Sequence, residues 1–384
     1  MTITSRIATV SAVALVCALY LYSKRPQVED GPPRKKKNIA QLIGNTPLVK
    51  VQSLSRLTGC EIYAKLELAN PGGSAKDRVA LAIIEDFEAR GLLRPGRGDV
   101  VFEGTSGSTG ISFAMLCNAL GYTAHISLPD DTSNEKLQLL ESYGAILQKV
   151  KPASIVDPDQ YVNSARRSAE ALSKDPSTQA MGVFADQFEN DQNWRVHYRT
   201  TGPEIWDQME ENIDIFVTGS GTGGTIAGCG KFLKEKNANM VCILADPQGS
   251  GLFNRVNHGV MYDSVEREGS RRRHQVDTII EGIGLNRLTH NFKIGEKLID
   301  YSIRVADVQA VRMAKFLSIN DGLFLGSSSC INAVAAVQAA QNAQKGSKIV
   351  MIACDSGSRH LSKFWKQASE VSRDVTLEEV MSVS

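Results

Sequence analysis

Short apolar, β-branched runs recur along the chain from about residue 39, with helical stretches between them. "DVVFEG" (99–104), "TAHISLP" (123–129), "AILQKV" (145–150), "GVFADQ" (182–187), "IDIFVTG" (213–219) and "MVCILAD" (240–246) each read as a strand. Between the strands, "DRVALAIIEDFEARG" places Val79, Ile83, Phe87 and Arg90 on one helical stripe and ends at Gly91. "ISFAMLCNALG" is apolar all round, which predicts a buried helix. "TSNEKLQLLESYG" opens with Thr132 and Glu135 at capping-box spacing and stops at Gly144. Alternation of this kind means a parallel, doubly wound α/β sheet, and the length allows two of them. "SVEREGSRRRHQ" (264–275) reads as a charged, solvated loop, and no repeat of solenoid period is present.

The N-terminus is a separate object. Residues 7–22 are uncharged, follow a lone Arg6 and precede a basic stretch. Sixteen residues are fewer than the roughly 20 a span normally takes. The downstream charge favours a single signal anchor with the main body in the cytosol. A cleaved targeting segment is the alternative. Residues 23–38, rich in Pro and Lys, read as a solvated linker.

Composition narrows the picture. The 384 residues are 42% hydrophobic and 22% charged, enough for one large or two medium domains with a proper core. The net charge of +1 gives no reason to expect nucleic acid as a partner. Seven scattered cysteines without a C-x-x-C pair, and six histidines without a ligand cluster, argue against a disulfide framework or a metal site. They suit a reducing compartment.

Three constellations carry chemistry. In "NPGGSAKDR" (70–78), Lys76 stands at a helix N-terminus, where a cation opposes the macrodipole; covalent neutralisation of the amine would remove that conflict. "GSGTGGT" (219–225) joins a strand to a helix, so its backbone N–H groups and the helix dipole favour an anion. It lacks the Lys-Ser/Thr ending of a P-loop. Gly219, Gly221 and Gly224 fit G-x-G-x-x-G with Asp246 ending the next strand, so this motif alone leaves a dinucleotide fold open, as it does a plain tight turn. "EGTSGSTG" (103–110) makes a second strand-to-helix anion pocket suited to a carboxylate. "GLFLGSSSCINAVAAVQAA" (322–340) reads as a serine-capped helix or as a hydroxyl facing a heterocycle nitrogen. Two anion cradles and a glycine-framed lysine suggest a phosphorylated cofactor and an amino or keto acid. Hydride transfer would not need Lys76.

With these motifs in order, "IGNTPLV" (43–49), "NPGGSAKDR", "EGTSGSTGIS", "ADQFEN" (185–190), "TTGPEIW" (200–206), "GTGGT", "EGIGL" (281–285) and "GSSSC", residues 39–365 resemble the cysteine synthase (O-acetylserine sulfhydrylase) and cystathionine β-synthase family of pyridoxal-phosphate enzymes. The N-terminal segment makes the chain most similar to the fungal mitochondrial cysteine synthase-like members. The resemblance implies fold type II, with two doubly wound lobes and pyridoxal 5'-phosphate between them. It implies an anchor and linker over 1–38, a catalytic domain over 39–370 whose smaller mobile lobe spans about 78–187, and a tail over 371–384.

The same resemblance assigns roles. Lys76 matches the Schiff-base lysine, and Gly221, Thr222, Gly223, Gly224 and Thr225 match the cofactor phosphate loop. Thr105, Ser106, Gly107 and Thr109, with Gln187, match the residues that hold the substrate carboxylate. Ser328 matches the serine facing the pyridine nitrogen. Two positions depart from the family pattern: Gly104 replaces a proline, and Ser108 replaces the asparagine that bonds the cofactor's 3-oxygen. Cys330 stands where glycine is common. The implied reaction is β-replacement, O-acetyl-L-serine plus sulfide giving L-cysteine and acetate through an aminoacrylate. Cystathionine synthesis, serine or threonine dehydration, and a membrane-tethered protein of weak activity are the alternatives. The implied assembly is a homodimer at the mitochondrial outer membrane facing the cytosol, with the endoplasmic reticulum membrane or a cleaved targeting segment as the other readings.

Overall fold

A computed structural model describes residues 37–105, 107–153, 155–263 and 278–383. The proposed anchor (7–22), the linker up to residue 36, Ser106 and the charged run 264–275 lie outside the described residues. Among the described residues no helix is long and apolar enough to cross a membrane.

Ten strands form two sheets among the described residues. In chain order they are β1 (Leu48–Lys50), β2 (Glu61–Leu66), β3 (Val100–Gly104), β4 (Thr123–Pro129), β5 (Ile146–Val150), β6 (Gly182–Phe184), β7 (Ile215–Gly219), β8 (Val241–Pro247), β9 (Tyr301–Val305) and β10 (Lys348–Ala353). All six apolar runs hold a strand, five of them within a residue or two of the expected bounds, while β6 stops at Phe184, three residues short. The larger sheet runs β1-β2-β10-β7-β8-β9, and the smaller runs β5-β4-β3-β6. Every pairing is parallel except β1 with β2, which places an antiparallel strand on one edge.

The middle of the larger sheet is buried on both faces, which is why β7, β8 and β10 read as apolar runs rather than alternating ones. Ile215 and Val217 of β7 join Ile349 and Met351 of β10 in one core, under the helices Asp307–Asn320 and Ser327–Asn342. Phe216, Val350 and Ile352 turn to the other face, against the helices Gly202–Gln208 and Gly224–Lys236. The smaller sheet has its own core, built with the helices Lys76–Ala89 and Ser108–Leu120. Val79, Ile83 and Phe87 are buried there as the stripe predicts; each such side chain stabilises by roughly 1.5–3 kcal/mol. Arg90 is not part of that buried face. It is exposed at the C-cap and pairs with Asp86 at 3.1 Å.

Two local expectations give way to tertiary contacts. The helix expected to open at Thr132 runs Asn134–Ser142, and no side chain caps it. Thr132 instead donates to the Pro129 carbonyl at 2.7 Å, while Glu135 accepts from the Ser362 backbone N–H at 3.1 Å. The capping carboxylate is thus spent on a distant loop. Residues 371–384, read as a tail, contain the capped helix Leu377–Met381, whose Val380 is buried in the larger core.

Candidate functional site

The carboxyl ends of β3 and β7 run into glycine-rich turns that open helices, the arrangement in which open α/β sheets place ligands. A cavity of ≈ 330 Å³ lies at these ends. Lys76, Thr105, Gly107, Ser108, Thr109, Gln187, Gly221, Thr222, Gly223, Thr225 and Ser328 all line it, from segments up to 250 residues apart in the chain. Gly224 lies behind the wall as the first residue of its helix, and Ser106 is outside the described residues.

Lys76 is the first residue of the helix Lys76–Ala89 and opens onto the cavity. Removal from water lowers its pKa, against the opposing pull of the Cys354, Asp355 and Glu67 charges. A larger fraction of the amine is therefore neutral and nucleophilic than on an exposed lysine. The helix start is clamped. Asp77 accepts from the Gly72 N–H at 2.6 Å and from Ser112 at 2.5 Å. One residue further, Arg78 is fully buried between two carboxylates, Glu67 (2.8 Å) and Glu204 (2.6 Å). Lys65 pairs with Glu204 at 2.7 Å, and the Thr46 hydroxyl donates to Glu67 at 2.7 Å. The motifs "IGNTPLV" and "TTGPEIW" thus supply Thr46 and Glu204 to a buried ion network behind the lysine rather than groups to the cavity. The cations hold the Glu204 carboxyl down at about 2 although its burial opposes this.

The turn Gly221–Thr225 presents its backbone toward the cavity, with Gly223 at φ +91°, a left-handed value that glycine adopts freely. The N-terminus of the helix Gly224–Lys236 adds its dipole. Behind the turn, His197 is buried and contacts the Thr225 hydroxyl at 3.2 Å and that of Thr201 at 2.9 Å. Burial and the nearby cations hold this imidazole neutral, its pKa well below the usual range.

On the facing wall Thr109 donates to Gln187 Oε1 at 2.6 Å. Gln187 donates from its backbone N–H and its Nε2 to the Glu103 carboxyl, both at 3.3 Å. Glu103 is fully buried, and loss of solvation with the neighbouring Asp186 charge raises it to about 8. Gly104, the first departure from the family pattern, has a packing reason: a Cβ there would lie 2.4 Å from the Val162 Cα. The glycine lets the helix Tyr161–Lys174 rest on the end of β3, and Tyr161 lines the cavity as a result.

The second departure, Ser108, lines the cavity and accepts from Arg359 Nη1 at 3.0 Å, while Arg359 Nη2 contacts the Gly72 carbonyl. With Arg359 on its oxygen, the serine proton is free to be donated into the cavity. The serines of "GSSSC" do not cap their helix. Gly326 is the N-cap; Ser327 accepts from the Glu281 N–H at 3.0 Å, Ser329 accepts from the Cys354 N–H at 2.8 Å, and Ser328 faces the cavity.

Glu103 lies inside a quoted motif, but Asn193, His197, Tyr161 and Arg359 carry no local signal that sequence reading could use. The fit of the cavity to a phosphorylated, amine-reactive cofactor rests on the desolvated Lys76 amine opposite the helix-terminal Gly221–Thr225 turn.

Fold and cavity together define a fold type II pyridoxal-phosphate enzyme. The family model described as "Pyridoxal-phosphate dependent enzyme" matches residues 39–355, and the chain belongs to that family. Among its relatives, the "Putative mitochondrial cysteine synthase" of Saccharomyces cerevisiae is 66% identical over 95% of this chain and 93% of its own length. "Cysteine synthase 2" of Schizosaccharomyces pombe is 55% identical over 85% of this chain and 82% of its own. The crystal structure of O-ureido-L-serine synthase superposes with a TM-score of 0.74 at 29% identity, covering 89% of this chain and 98% of that one.

Proposed function

We infer that this chain is a cysteine synthase, forming L-cysteine and acetate from O-acetyl-L-serine and sulfide with pyridoxal 5'-phosphate as cofactor. The observation that carries the reading is the Lys76 amine, desolvated at a helix N-terminus and facing both the Gly221–Thr225 turn and the Gln187–Thr109 wall. When bound, pyridoxal phosphate supplies an electron sink for the carbanion at the amino acid's Cα. Lys76 would hold the cofactor through its aldehyde. With the amine free and neutral, Lys76 would take the Cα proton of the substrate and later return it to that carbon. Acetate leaves the β-carbon and the carbon–sulfur bond forms there. The Gly221–Thr225 amides would hold the phosphate, and Thr105, Ser106, Gly107, Thr109 and Gln187 would bind the substrate carboxylate. Ser328 is a neutral partner for the ring nitrogen. A neutral hydroxyl there would not hold that nitrogen protonated, which would favour loss of the β-substituent over transamination.

Borohydride reduction tests this directly. The purified protein should carry the cofactor covalently on Lys76 by mass spectrometry, and Lys76→Ala should carry none and lose sulfide-dependent cysteine release. Wild-type turnover in Lys76→Ala would defeat the reading. Faster product from serine and homocysteine than from O-acetylserine and sulfide would replace it with cystathionine synthesis.

We further propose that residues 39–370 are the catalytic domain, with a smaller lobe of about 78–187 moving against the rest, and that it acts as a homodimer. Residues 7–22 anchor it to the mitochondrial outer membrane with the domain facing the cytosol. Deletion of residues 1–38 should then yield a dimeric, active protein that alkaline carbonate releases from membranes, unlike the full chain.

A further inference from the structure

Asn193 is fully buried at the start of the helix Gln192–Val196 and has not been placed in the machinery above. Its Nδ2 donates to the backbone carbonyl of Gln187 at 2.7 Å and to the Thr222 hydroxyl at 2.8 Å. The first bond fixes the amide's orientation, because a carbonyl can only accept. Both Nδ2 protons are therefore committed, and the Thr222 oxygen must accept. The threonine's own proton is left to point elsewhere, and Thr222 lines the cavity. The Asn193 Oδ1 has no partner among the described residues, and it sits 1.9 Å from where a Cβ on Gly224 would be. A buried orphan oxygen is costly. The amide keeps this orientation despite that cost, and only a glycine at position 224 leaves room for it.

We propose that Asn193 is a positioning residue that ties the phosphate turn to the substrate-carboxylate wall and makes Thr222 a hydrogen-bond donor toward the cofactor phosphate. The inference rests on the reading of Thr222 and Gln187 given above. One side chain spans the two grips: Thr222 belongs to the turn after β7, and Gln187 is held to Thr109 and Glu103 at the end of β3. Loss of the amide should loosen both at once.

The test uses the full chain as wild type, Asn193→Ala, Asn193→Asp, Thr222→Val and the Ala/Val double variant. Pyridoxal phosphate is titrated into each apoenzyme and followed by visible absorbance, and KM for O-acetylserine is measured separately from kcat. Asn193→Ala and Thr222→Val should each weaken cofactor binding about tenfold, the weight of one buried hydrogen bond. The double variant should be no weaker than the worse single, because both remove the same bond. Asn193→Asp keeps the side-chain size but cannot donate, and it brings an anion to the phosphate site, so it should bind cofactor more weakly than Asn193→Ala. It also carries the test if Asn193→Ala fails to fold. KM for O-acetylserine should rise in Asn193→Ala and stay near wild type in Thr222→Val. Additive losses in the double variant, or Asn193 variants that lower the unfolding midpoint while binding cofactor and substrate normally, would overturn the proposal. Normal cofactor binding in Thr222→Val would instead overturn the assignment of the phosphate turn, and this inference with it.

Discussion

Arg78→Met should be among the most destabilising single changes this chain can suffer, and the charge balance behind Lys76 says why. Four ionised side chains meet there: Lys65 and Arg78 against Glu67 and Glu204. They sum to zero. Arg78 gives Glu67 two hydrogen bonds of 2.8 Å from Nε and Nη2, and gives Glu204 bonds of 2.6 and 2.7 Å. Methionine fills much of the volume but leaves the site at net −1. Glu67, with no exposed surface, would then keep only the Thr46 hydroxyl and the Asn70 amide. Removing one partner of a buried ion pair costs about 3–5 kcal/mol, a large part of the roughly 5–15 kcal/mol that holds a domain folded.

Urea denaturation at fixed excess cofactor would measure this, with Arg78→Met/Glu67→Gln as the control. The double variant restores neutrality, since Lys65 and Glu204 remain paired. It should be more stable than Arg78→Met alone by about 1–3 kcal/mol. The pH dependence supplies a second check. In Arg78→Met the site holds a net charge of −1 away from water, so taking up a proton there favours the folded state and stability rises as pH falls. In the wild type, Glu204 is held near 2, so its contribution persists until pH falls below the ordinary carboxylate range. The gap between the two proteins should therefore narrow from pH 7 to pH 5. A loss under about 1 kcal/mol, or a double variant less stable than the single, would refute the charge argument.

Three further outcomes are expected. Ser108→Ala should slow turnover by roughly one to two decades, the loss of one hydrogen bond to a charged acceptor of about 1.5–3 kcal/mol. Unchanged single-turnover rates would show that the hydroxyl is not engaged. Gly104→Ala drives a Cβ to 2.4 Å from the Val162 Cα, so it should cost about 1–3 kcal/mol by denaturation and raise KM by displacing Tyr161. His360, between Asp355 at 2.9 Å and Glu281 at 3.4 Å, has its pKa raised to about 9 by those carboxylates against the effect of burial. The stability it contributes is complete below pH 6.5 and is lost as pH rises through 9, so His360→Gln should flatten the stability profile over that window. An equally steep profile in the variant would exclude His360 as its source.

What could be read in the sequence was whatever is decided within a few residues. Five of the six apolar runs became strands that carry buried residues, so no partner strand had to be known; the sixth, β5, is an edge strand whose Ile146 is half exposed. The cavity residues were legible for a related reason: parallel sheets place chemistry at strand ends, and strand ends that enter helices need glycines and hydroxyls. Ser108 and Gly221 stand in such turns, and Lys76 and Ser328 open helices directly behind a glycine-containing loop. The buried ion network shows the opposite case. Lys65 in "EIYAKL" and Glu204 in "GPEIW" look like surface charges until segments some 140 residues apart in sequence are brought together. Thr132 and Glu135 have capping-box spacing, yet Ser362 takes the carboxylate. The insertion of β10 between β2 and β7 is a crossover that no local pattern encodes. Asn193 stands furthest from local reading. Its importance comes from a carbonyl six residues before it and a hydroxyl 29 residues after it, and from an empty Cβ position at Gly224. The glycine was visible as part of a phosphate turn. That it also makes room for an amide oxygen appears only once the two elements are packed.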